Sequence, residues 1–480
     1  MKNRLEALSS FLNRRINSLC ENDEFSKYRS FYGECFALSS LKLSGMLKDD
    51  VGDYLISKYR NKDKSHSEFH HEFNNYAMTT DETLSKTYST DFYPLVFKNT
   101  PCTNWTLLRE RVKLEHDSSY QLNEALSKIS ELQLESGLIL DDPGVKSFQY
   151  HCFSMVMIAE MYLINKDEKL KMSFEKGVKF ILPFISPTGE ALYIGRGQNQ
   201  SFGYSTLLYM LVLAQDIFEK SFETQIDKVL GLIEKQVKSF DDLPLMLNQN
   251  LADPYLVNMK DKKFYGWYPY NNYIDYFCFS SYFITKSFTT FKDSSKEKIS
   301  FNKELTDSDF LVRNCNYFCV VSSSGGYLTN DLPIPFIQYH GESITPMYGG
   351  EQFQESLYSD KDIPLPINKL FNISIRKKSK SKLVNDTMIV KSPFGNLKRK
   401  YSFNKEQIVI DSEMLLPFLF KTPLLFFPKT EILDNKTLRF KNVEFKLSKP
   451  FKKKLSSLTP SGEMMKVEVE GEFSMEINFL

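Results

Sequence analysis

Two kinds of helical pattern alternate along the first part of the chain. Apolar residues repeat at helical spacing on a single face of the segments 120–137, 168–185 and 224–240. Between them, the segments 152–164 and 202–218 are apolar on nearly every face, which is typical of buried helices. Two concentric layers produce this alternation, because inner helices are shielded on all sides and outer helices meet water on one. The pattern predicts an α/α toroid, with a simple helical bundle as the alternative.

The period of the apolar residues shifts toward two in the later part of the chain. Apolar and polar residues alternate in the segments 316–324, 372–378, 437–448 and 465–480, and in the last the phase changes around Gly471. Alternation of this kind predicts strands that bury one face. Pro, Asp-Asn and Ser-Gly turns separate the strands, which favours an antiparallel β-sandwich.

These two patterns divide the chain into domains. A chain of 480 residues exceeds what one hydrophobic core usually supports. We predict an α/α toroid catalytic domain over residues 1–290 and a β-sandwich domain over residues 311–480. The polar stretch 291–310 is rich in Ser and Lys and is the predicted linker.

Charge and cysteine usage narrow the class of protein. The net charge is +1, which argues against a surface that tracks nucleic-acid phosphates. The longest apolar run is shorter than the roughly 20 residues that span a membrane. The first 25 residues carry charges throughout, unlike a secretory signal, and seven scattered cysteines form no CxxC pair. We expect a cytoplasmic protein with no cofactor and no metal, although His66, His70 and His71 are spaced closely enough to be considered as ligands.

Four polar clusters precede or begin the predicted helices. The first contains Asn104 and Trp105, and the second contains Tyr150 and His151 directly before the buried 152–164 segment. As structural alternatives, Asn104 caps a helix and His151 is a satisfied core residue. A histidine at the entrance of a buried helix also suits proton transfer, because its ordinary pKa lies near neutrality.

The third and fourth clusters are the densest in the chain. "YIGRGQNQSFGYS" (193–205) holds Arg196, Gln198, Asn199 and Tyr204, and its glycines allow close approach of a ligand. It matches neither GxGxxG nor GxxxxGK, which disfavours a nucleotide fold. The stretch 264–283 contributes three candidates for a carbohydrate groove, in which aromatic faces stack on sugars and amides bind hydroxyls: Trp267, Tyr270 and Asn271.

One metal-free reaction combines Asn, Arg, His and Tyr, and it is the β-elimination of a uronic acid polysaccharide. The C5 proton is poorly acidic until hydrogen bonds neutralise the neighbouring carboxylate, a role suited to Asn and to Arg or Gln. A His or Tyr then removes the proton, and a Tyr protonates the leaving oxygen.

The order of the motifs "NW", "SFQYH" and "GRGQNQSFGY", together with helices followed by strands, resembles the toroid-plus-sandwich polysaccharide lyases. Heparinase II/III, chondroitin AC and hyaluronate lyases and some alginate lyases share this architecture. The resemblance implies that Asn104 neutralises the substrate carboxylate, that His151 is catalytic and that Arg196 lines the cleft. The expected Tyr after the His has no good match, so Tyr204 takes that role, with Tyr150 and Tyr270 as alternatives. The resemblance adds His340 from the sandwich domain.

We therefore predict a lyase that acts on an anionic, uronic-acid-containing polysaccharide such as a nascent capsule chain, a lipopolysaccharide chain or an imported oligosaccharide. Trp105, Gln198 and Asn199 are expected to contact it. One alternative is a glycoside hydrolase on the same toroid, which needs two facing carboxylates. Asp142, Asp253 and Asp275 are its candidates. The other alternative is a non-catalytic glycan-binding or assembly factor in surface polysaccharide synthesis.

Overall fold

The structure is a computed structural model of the 480-residue chain. It describes residues 1–28, 30–61, 69–79, 84, 102–195, 197–247, 273–293, 296–323, 334, 336–346, 369–370, 373–374, 380–392, 395–414, 421–459 and 462–480.

Eleven α-helices lie in the described part of the chain, and their burial separates them into two layers. Six helices are buried on nearly all sides: α2 (Gly33–Leu43), α4 (Phe69–Thr79), α5 (Thr103–His116), α7 (Phe148–Asn165), α9 (Ser201–Phe218) and α11 (Tyr273–Thr290). Five helices bury one face: α1 (Lys2–Glu21), α3 (Asp49–Arg60), α6 (Asn123–Leu132), α8 (Glu168–Ile181) and α10 (Glu223–Phe240).

The six buried helices form a closed ring. Each packs against the next in the order α2, α4, α5, α7, α9 and α11, and α11 packs back against α2. The half-buried helices lie outside this ring, each against one or more inner helices. This confirms the predicted α/α toroid. The segments 152–164 and 202–218 belong to the inner helices α7 and α9, because only an inner position hides an all-round apolar surface.

The predicted helix over 120–137 is shorter than its apolar pattern. Helix α6 ends at Leu132, and Gln133 pairs with Ile139 in an isolated bridge. Gly137 closes this turn with a φ of +100°, where a Cβ would lie 2.2 Å from the carbonyl oxygen of Lys176 on α8. The turn therefore needs glycine for both its backbone angle and its packing.

A buried carboxylate ties the inner helices together. Glu160 of α7 accepts hydrogen bonds from the Tyr76 hydroxyl of α4 (3.0 Å to Oε1) and from Arg111 Nε of α5 (3.0 Å to Oε2), and it pairs with Lys286 of α11. Burial by itself raises the pKa of Glu160, but the charges of Lys286 and Arg111 outweigh it and hold the pKa below its ordinary value. Glu160 is therefore ionised, and its charge is compensated inside the ring.

Eighteen strands lie in the described part of the chain, and every pair of them is antiparallel. The first sheet contains β1 (Leu305–Thr306), β2 (Phe310–Asn314), β3 (Tyr317–Ser322), β4 (Phe336–Tyr339) and β5 (Glu342–Ser343) in sequence order. A two-stranded sheet follows, with β6 (Lys369–Leu370) and β7 (Ile373–Ser374).

The remaining strands form two larger sheets. They are β8 (Lys380–Val384), β9 (Thr387–Ser392), β10 (Gly395–Phe403), β11 (Gln407–Met414), β12 (Lys421–Phe426), β13 (Glu431–Ile432), β14 (Thr437–Phe440), β15 (Val443–Leu447), β16 (Lys453–Thr459), β17 (Gly462–Glu470) and β18 (Phe473–Phe479). The eight-stranded sheet has the order β13-β14-β15-β18-β11-β10-β9-β8, and the three-stranded sheet has the order β12-β17-β16. Apolar residues of these sheets and of the first sheet share one core, as predicted for an antiparallel sandwich.

The segment 465–480 differs from the expected continuous pattern. Gly471, with a φ of +65°, lies between β17 and β18, and these two strands belong to different sheets. The phase change read from the sequence is thus a connection between sheets rather than an irregularity within one strand.

The first sheet joins the helices to the other sheets because its two faces enter different cores. Phe310, Val312, Phe318, Val320 and Phe336 pack with the helices. Their neighbours along the strands pack with the other sheets: Leu311, Tyr317, Cys319, Val321 and Ile337. Because successive side chains of a strand point to opposite faces, the first sheet packs against the helices on one face and against the other sheets on the other.

Polar contacts fix the position of this sheet on the toroid. Glu190, in the loop between α8 and α9, is 1% exposed and accepts hydrogen bonds from Gln338 of β4 (3.0 Å) and Ser343 of β5 (3.2 Å). Beside it, the rings of Tyr193 and Phe336 stack with centroids 4.4 Å apart. The β domain is thus held against the loops that lead into the inner helices.

We expect Glu160→Leu to lower the free energy of unfolding by about 3–5 kcal/mol, because Lys286 and Arg111 would remain buried without this counter-charge. Glu115→Gln is the matched control, since Glu115 also pairs with Arg111 (2.6 Å) but is about one-third exposed. The control should cost less than about 1 kcal/mol. Urea unfolding followed by circular dichroism measures both, and equal losses in the two variants would contradict the role given to Glu160.

Candidate functional site

The amino-terminal ends of the six inner helices meet around a cleft lined by aromatic side chains. We call this the aromatic cleft; the cavity between its buried side chains has a volume of about 20 Å³, room for about one water molecule. All six inner helices contribute to it through residues at or near their first turns: Tyr32, Phe73, Trp105, Tyr150, Phe153, Phe202, Tyr276 and Phe279. A wall of aromatic faces suits the apolar faces of sugar rings.

The position of Tyr32 depends on a carboxylate from the last inner helix. Asp275, in the first turn of α11, accepts hydrogen bonds from the backbone N–H groups of Tyr32 (3.0 Å) and Gly33 (2.7 Å) and from the Ser30 hydroxyl (3.0 Å). Asp275 therefore caps α2 and closes the ring at its amino-terminal end. A carboxylate bonded in this way does not suit the general acid or base of the hydrolase alternative. Asp142 lies in a turn bridged to Val145, and Asp253 lies outside the described residues.

A buried ion pair lies behind the cleft between α4 and α5. Glu72 directly precedes Phe73, Arg109 lies one turn after Trp105, and Arg109 Nε is 3.1 Å from Glu72 Oε1. Burial raises the pKa of Glu72 to about 7, although the charge of Arg109 opposes this change. The pair joins the two helices that carry Phe73 and Trp105.

Asn104 does not cap a helix, which was the structural alternative to a functional role. Helix α5 begins at Thr103, whose N–H and hydroxyl bind the carbonyl oxygens of Asp141 (2.8 Å) and Leu140 (2.6 Å). Asn104 is therefore held inside the first turn, immediately before Trp105. Its side chain is fully buried, and neither amide atom has a hydrogen-bond partner among the described residues. A buried amide of this kind costs stability and calls for an explanation.

The structure does not bring His151 to the aromatic cleft. Its Nδ1 accepts a hydrogen bond from Ile139 N–H (3.1 Å), and its Nε2–H donates to the carbonyl oxygen of Gly177 (3.0 Å) on the outer helix α8. His151 therefore points between the helix layers, whereas Tyr150 and Phe153 on the same helix face the cleft. Burial lowers the pKa of His151 to about 4, against the opposing effect of the Gly177 bond. A neutral ring with both nitrogens bonded is a structural group, not a base for a substrate in the cleft.

Tyr204 is also turned away from the cleft. Its hydroxyl donates to Asn199 Oδ1 (3.1 Å) and accepts from the backbone N–H groups of Ala191 (3.2 Å) and Leu192 (3.4 Å), and the side chain is fully buried. Burial, followed by the charge of Glu190, raises the pKa of Tyr204 above its ordinary value. These contacts do not fit the proton-transfer role expected from the sequence.

His151 and Tyr204 make equivalent hydrogen bonds in successive helical hairpins. In each hairpin a glycine with positive φ, Gly137 (+100°) or Gly189 (+95°), packs its Cα against the following outer helix. The residue two positions after that glycine donates its N–H to the side chain in question, Ile139 to His151 and Ala191 to Tyr204. Both side chains therefore lock the loop that precedes an inner helix.

The other sequence candidates fall into three groups. Trp105 and Tyr150 line the aromatic cleft, as expected for residues that contact a ligand. Gln198 and Asn199 are buried in the loop before α9, and Asn199 holds Tyr204. His340 is exposed in the turn between β4 and β5 with a φ of +48°, and its ring packs on Tyr339. Four candidates lie outside the described residues: Arg196, Trp267, Tyr270 and Asn271.

Only two of the eight residues that form the cleft wall, Trp105 and Tyr150, were predicted from the sequence. Tyr32, Phe73, Phe202 and Tyr276 each lie at the start of an inner helix, the position that Trp105 and Tyr150 also occupy. Aromatic residues recur in the sequence at the starts of the buried helices. This pattern predicts a common aromatic wall only when the helices are known to form a ring with all these starts at one end.

Within the described residues, no group of three or more His, Cys, Asp or Glu side chains is arranged to hold a metal ion. No helix in that part of the chain has the length and apolar character to cross a membrane.

The pKa of His151 predicts a pH dependence of stability. Unfolded chains bind a proton near pH 6.5 and the folded protein only near pH 4, so stability should fall as the pH decreases between these values. The loss should be on the order of 3 kcal/mol. His151→Gln keeps a donor and an acceptor without titrating, so it should flatten this dependence, which urea unfolding from pH 7 to pH 4 measures. An unchanged slope in the variant would show that His151 is not buried in its neutral form.

Comparison with known proteins gives a likeness among solved structures alone. No protein-family model matches the sequence, and no curated protein matches it. Among solved structures, the chain is similar to a mutant chondroitin AC lyase from Streptomyces coelicolor, at 8% sequence identity and a TM-score of 0.47, over 100% of this chain and 79% of that one.

Proposed function

We propose that the aromatic cleft binds a polysaccharide that contains uronic acid and that the protein cleaves it by β-elimination. The observation that carries this proposal is the aromatic wall of the cleft; Asn104, directly before Trp105, is fully buried without a hydrogen-bond partner among the described residues, but it is not one of the residues that line the cleft. Aromatic rings suit sugar faces, and an amide N–H₂ group suits a carboxylate oxygen. The amino-terminal ends of the inner helices add partial positive charge, which favours an anionic ligand.

Asn104 would neutralise the substrate carboxylate, which requires its side chain to turn toward the cleft, since it is buried beside the wall and does not line it. Its amide N–H₂ donates to a carboxylate oxygen, which makes the C5 proton more acidic and stabilises the enolate that forms when the proton leaves. The proton passes to a base, the electron pair forms the C4–C5 double bond, and the bond from C4 to the glycosidic oxygen breaks. The leaving oxygen then takes a proton, so that one new chain end and one unsaturated uronide result.

Tyr150 is our choice for the proton transfers. Three tyrosines line the cleft, but Tyr32 and Tyr276 belong to α2 and α11, which are not neighbours of α5 in the ring. Tyr150 lies in the first turn of α7, the helix that packs directly against α5, which carries Asn104. As a phenolate, Tyr150 accepts the C5 proton, and the phenol O–H so formed donates that proton to the leaving oxygen on the same face of the sugar.

On α7 and α9, Tyr150 and Phe202 face the cleft while His151 and Tyr204 face away from it, and this difference favours a second candidate function. Because His151 and Tyr204 are bonded between the layers, the described cleft lacks the histidine that the sequence nominated. A non-catalytic glycan-binding protein would keep the aromatic wall and dispense with a base. Binding of uronate polymers without formation of an unsaturated product would favour this second candidate.

We expect Tyr150→Phe to abolish product formation while retaining binding, because the aromatic face remains and only the hydroxyl is lost. Incubation with a panel of uronate polysaccharides, read by the ultraviolet absorbance of the unsaturated product, measures turnover. Tyr204→Phe is the matched control: it also removes one buried hydroxyl, but away from the cleft, and should retain turnover in the folded protein. Full activity of Tyr150→Phe would eliminate Tyr150 as the proton-transfer residue.

We expect Asn104→Leu to raise or preserve the melting temperature while lowering turnover by at least about 100-fold, the scale of losing one donor to a developing oxyanion. An apolar side chain of similar shape removes the cost of an unpaired buried amide. The control is Asn13→Leu, since the Asn13 amide is equally buried but bonded to Ser9, Ser40 and Thr285. That variant should lose stability instead. A destabilised Asn104→Leu would mean that the amide has a structural role.

A further inference from the structure

The outer face of the eight-stranded sheet carries a group of exposed lysines at one end. Strands β8, β9 and β10 lie at that end, and their inward side chains, such as Leu383, Met388 and Leu397, belong to the sandwich core. Side chains alternate between the two faces of a strand, so the residues that alternate with these point outward. Four of them are exposed lysines, which we call the lysine face: Lys382, Lys391, Lys398 and Lys400.

The strand register gathers the lysine face around one half-buried residue, Ile389 of β9. Lys382 of β8 is opposite Ile389 on one side, and Lys398 of β10 is opposite it on the other. Lys391 follows two positions later on β9, and Lys400 is opposite Thr387, so it is a diagonal neighbour. Diagonal neighbours in a sheet lie about 7–8 Å apart. One extended polymer chain can therefore contact all four lysines.

The carboxylates close to the lysine face do not balance its charge. Glu413 of β11 lies 3.8 Å from Lys398, and Asp411 lies two residues before it on the same strand. Asp386, in the turn between β8 and β9, is already paired with Arg313 of β2 (2.8 Å). The other three lysines form no ion pair with a described residue. Four cations thus face two carboxylates.

The other half of the same sheet face is balanced. Arg439 of β14 lies 2.9 Å from Glu444 of β15, and Lys446 of β15 is opposite Glu476 of β18. Each of these cations has a carboxylate directly across the ladder. The excess of positive charge is therefore a local property of β8, β9 and β10, and it creates a positive potential at this surface.

Protection of the sheet edge explains one of the four lysines at most. β8 is the edge strand, and a lysine there discourages pairing with another chain. β9 and β10 are paired on both sides, so their lysines do not serve that purpose. Lys380 is also directly opposite Lys391 in the register, where like charges are unfavourable. An external anion would relieve this repulsion.

We infer that the lysine face is a second binding site for an anionic polysaccharide, formed by residues that do not line the aromatic cleft. An ammonium group attracts a carboxylate or sulfate as a point charge, without the fixed geometry of arginine, so it suits the charges of a flexible polymer. Ile389 at the centre offers an apolar contact to a sugar ring. The described outward residues of these strands include no aromatic ring on which nucleic-acid bases would stack. The choice of a polysaccharide rests on the proposed function.

The test removes the four charges together and measures the Kd for immobilised hyaluronan and heparin by biolayer interferometry at low salt. We expect the Kd of the fourfold variant to rise about five- to tenfold, the equivalent of a few exposed charge contacts. High salt should remove the difference, because exposed charges are screened. The substitutions are Lys382→Gln, Lys391→Gln, Lys398→Gln and Lys400→Gln.

The matched control loses the same number of charges elsewhere in the β domain. It carries glutamine at four exposed lysines that lie between strands and away from the lysine face, and it should retain the Kd of the wild type. These lysines are Lys405, Lys429, Lys436 and Lys449. An equal loss in this control would show that net charge, and not the lysine face, attracts the polymer.

A single substitution of opposite sign guards against misfolding of the fourfold variant. Glu413→Gln removes the carboxylate beside Lys398 and should lower the Kd. Its melting temperature should stay close to that of the wild type, because an exposed ion pair contributes little to stability. Unchanged or weaker binding by Glu413→Gln would contradict the inference.

The outcomes separate this inference from the proposed function. Loss of binding in the fourfold variant but not in Trp105→Ala supports the lysine face and removes the aromatic cleft from the proposed function. Loss in Trp105→Ala alone overturns this inference and leaves the proposed function standing, and loss in both variants supports both. A wild type that binds neither polymer, or that binds double-stranded DNA more tightly than either, overturns the assignment of a polysaccharide to the lysine face.

Discussion

The carboxylate of Glu160 is the interaction on which the toroid depends. Inner helices are buried on all sides, so any charge inside their ring must be compensated there. Glu160 connects α7 to α5 through Arg111, to α4 through Tyr76 and to α11 through Lys286. Four of the six inner helices are thus fixed relative to one another by one ion. The positions of the helix starts, and hence of the aromatic cleft, follow from this arrangement.

Polar groups in the toroid follow two different rules. Glu160 and Asp275 are buried with their oxygens bonded, and His151 and Tyr204 bond the loops between the layers. Asn104 and Gln149 are equally buried but have no partner among the described residues. Both lie in the first turns of inner helices that contribute to the cleft wall. Other buried side chains, Ser154 and Ser280 among them, also lack a hydrogen-bond partner among the described residues, and of the two amides we attribute only that of Asn104 to ligand binding.

The β domain supports this end of the toroid. Its first sheet sends alternate side chains into the helical core and into the sandwich core. Glu190, Gln338 and Ser343 bind the loop between α8 and α9 to that sheet. This loop leads directly into the first turn of α9, where Phe202 and Gly203 lie. The sandwich therefore stabilises a wall of the cleft from behind.

The sequence by itself determined the layers and the order of the elements. Helices that are apolar all round, such as 152–164, can be stable only inside a second layer, so their position follows from composition alone. Period-two alternation likewise indicated the strands. Trp105 and Tyr150 were identified because they stand at helix starts. The tertiary structure alone decided which way each side chain points: one residue along a helix turns a side chain by about 100°, which separates Tyr150 in the cleft from His151 between the layers. No local pattern reveals that difference, because it depends on which neighbouring helix lies on each side.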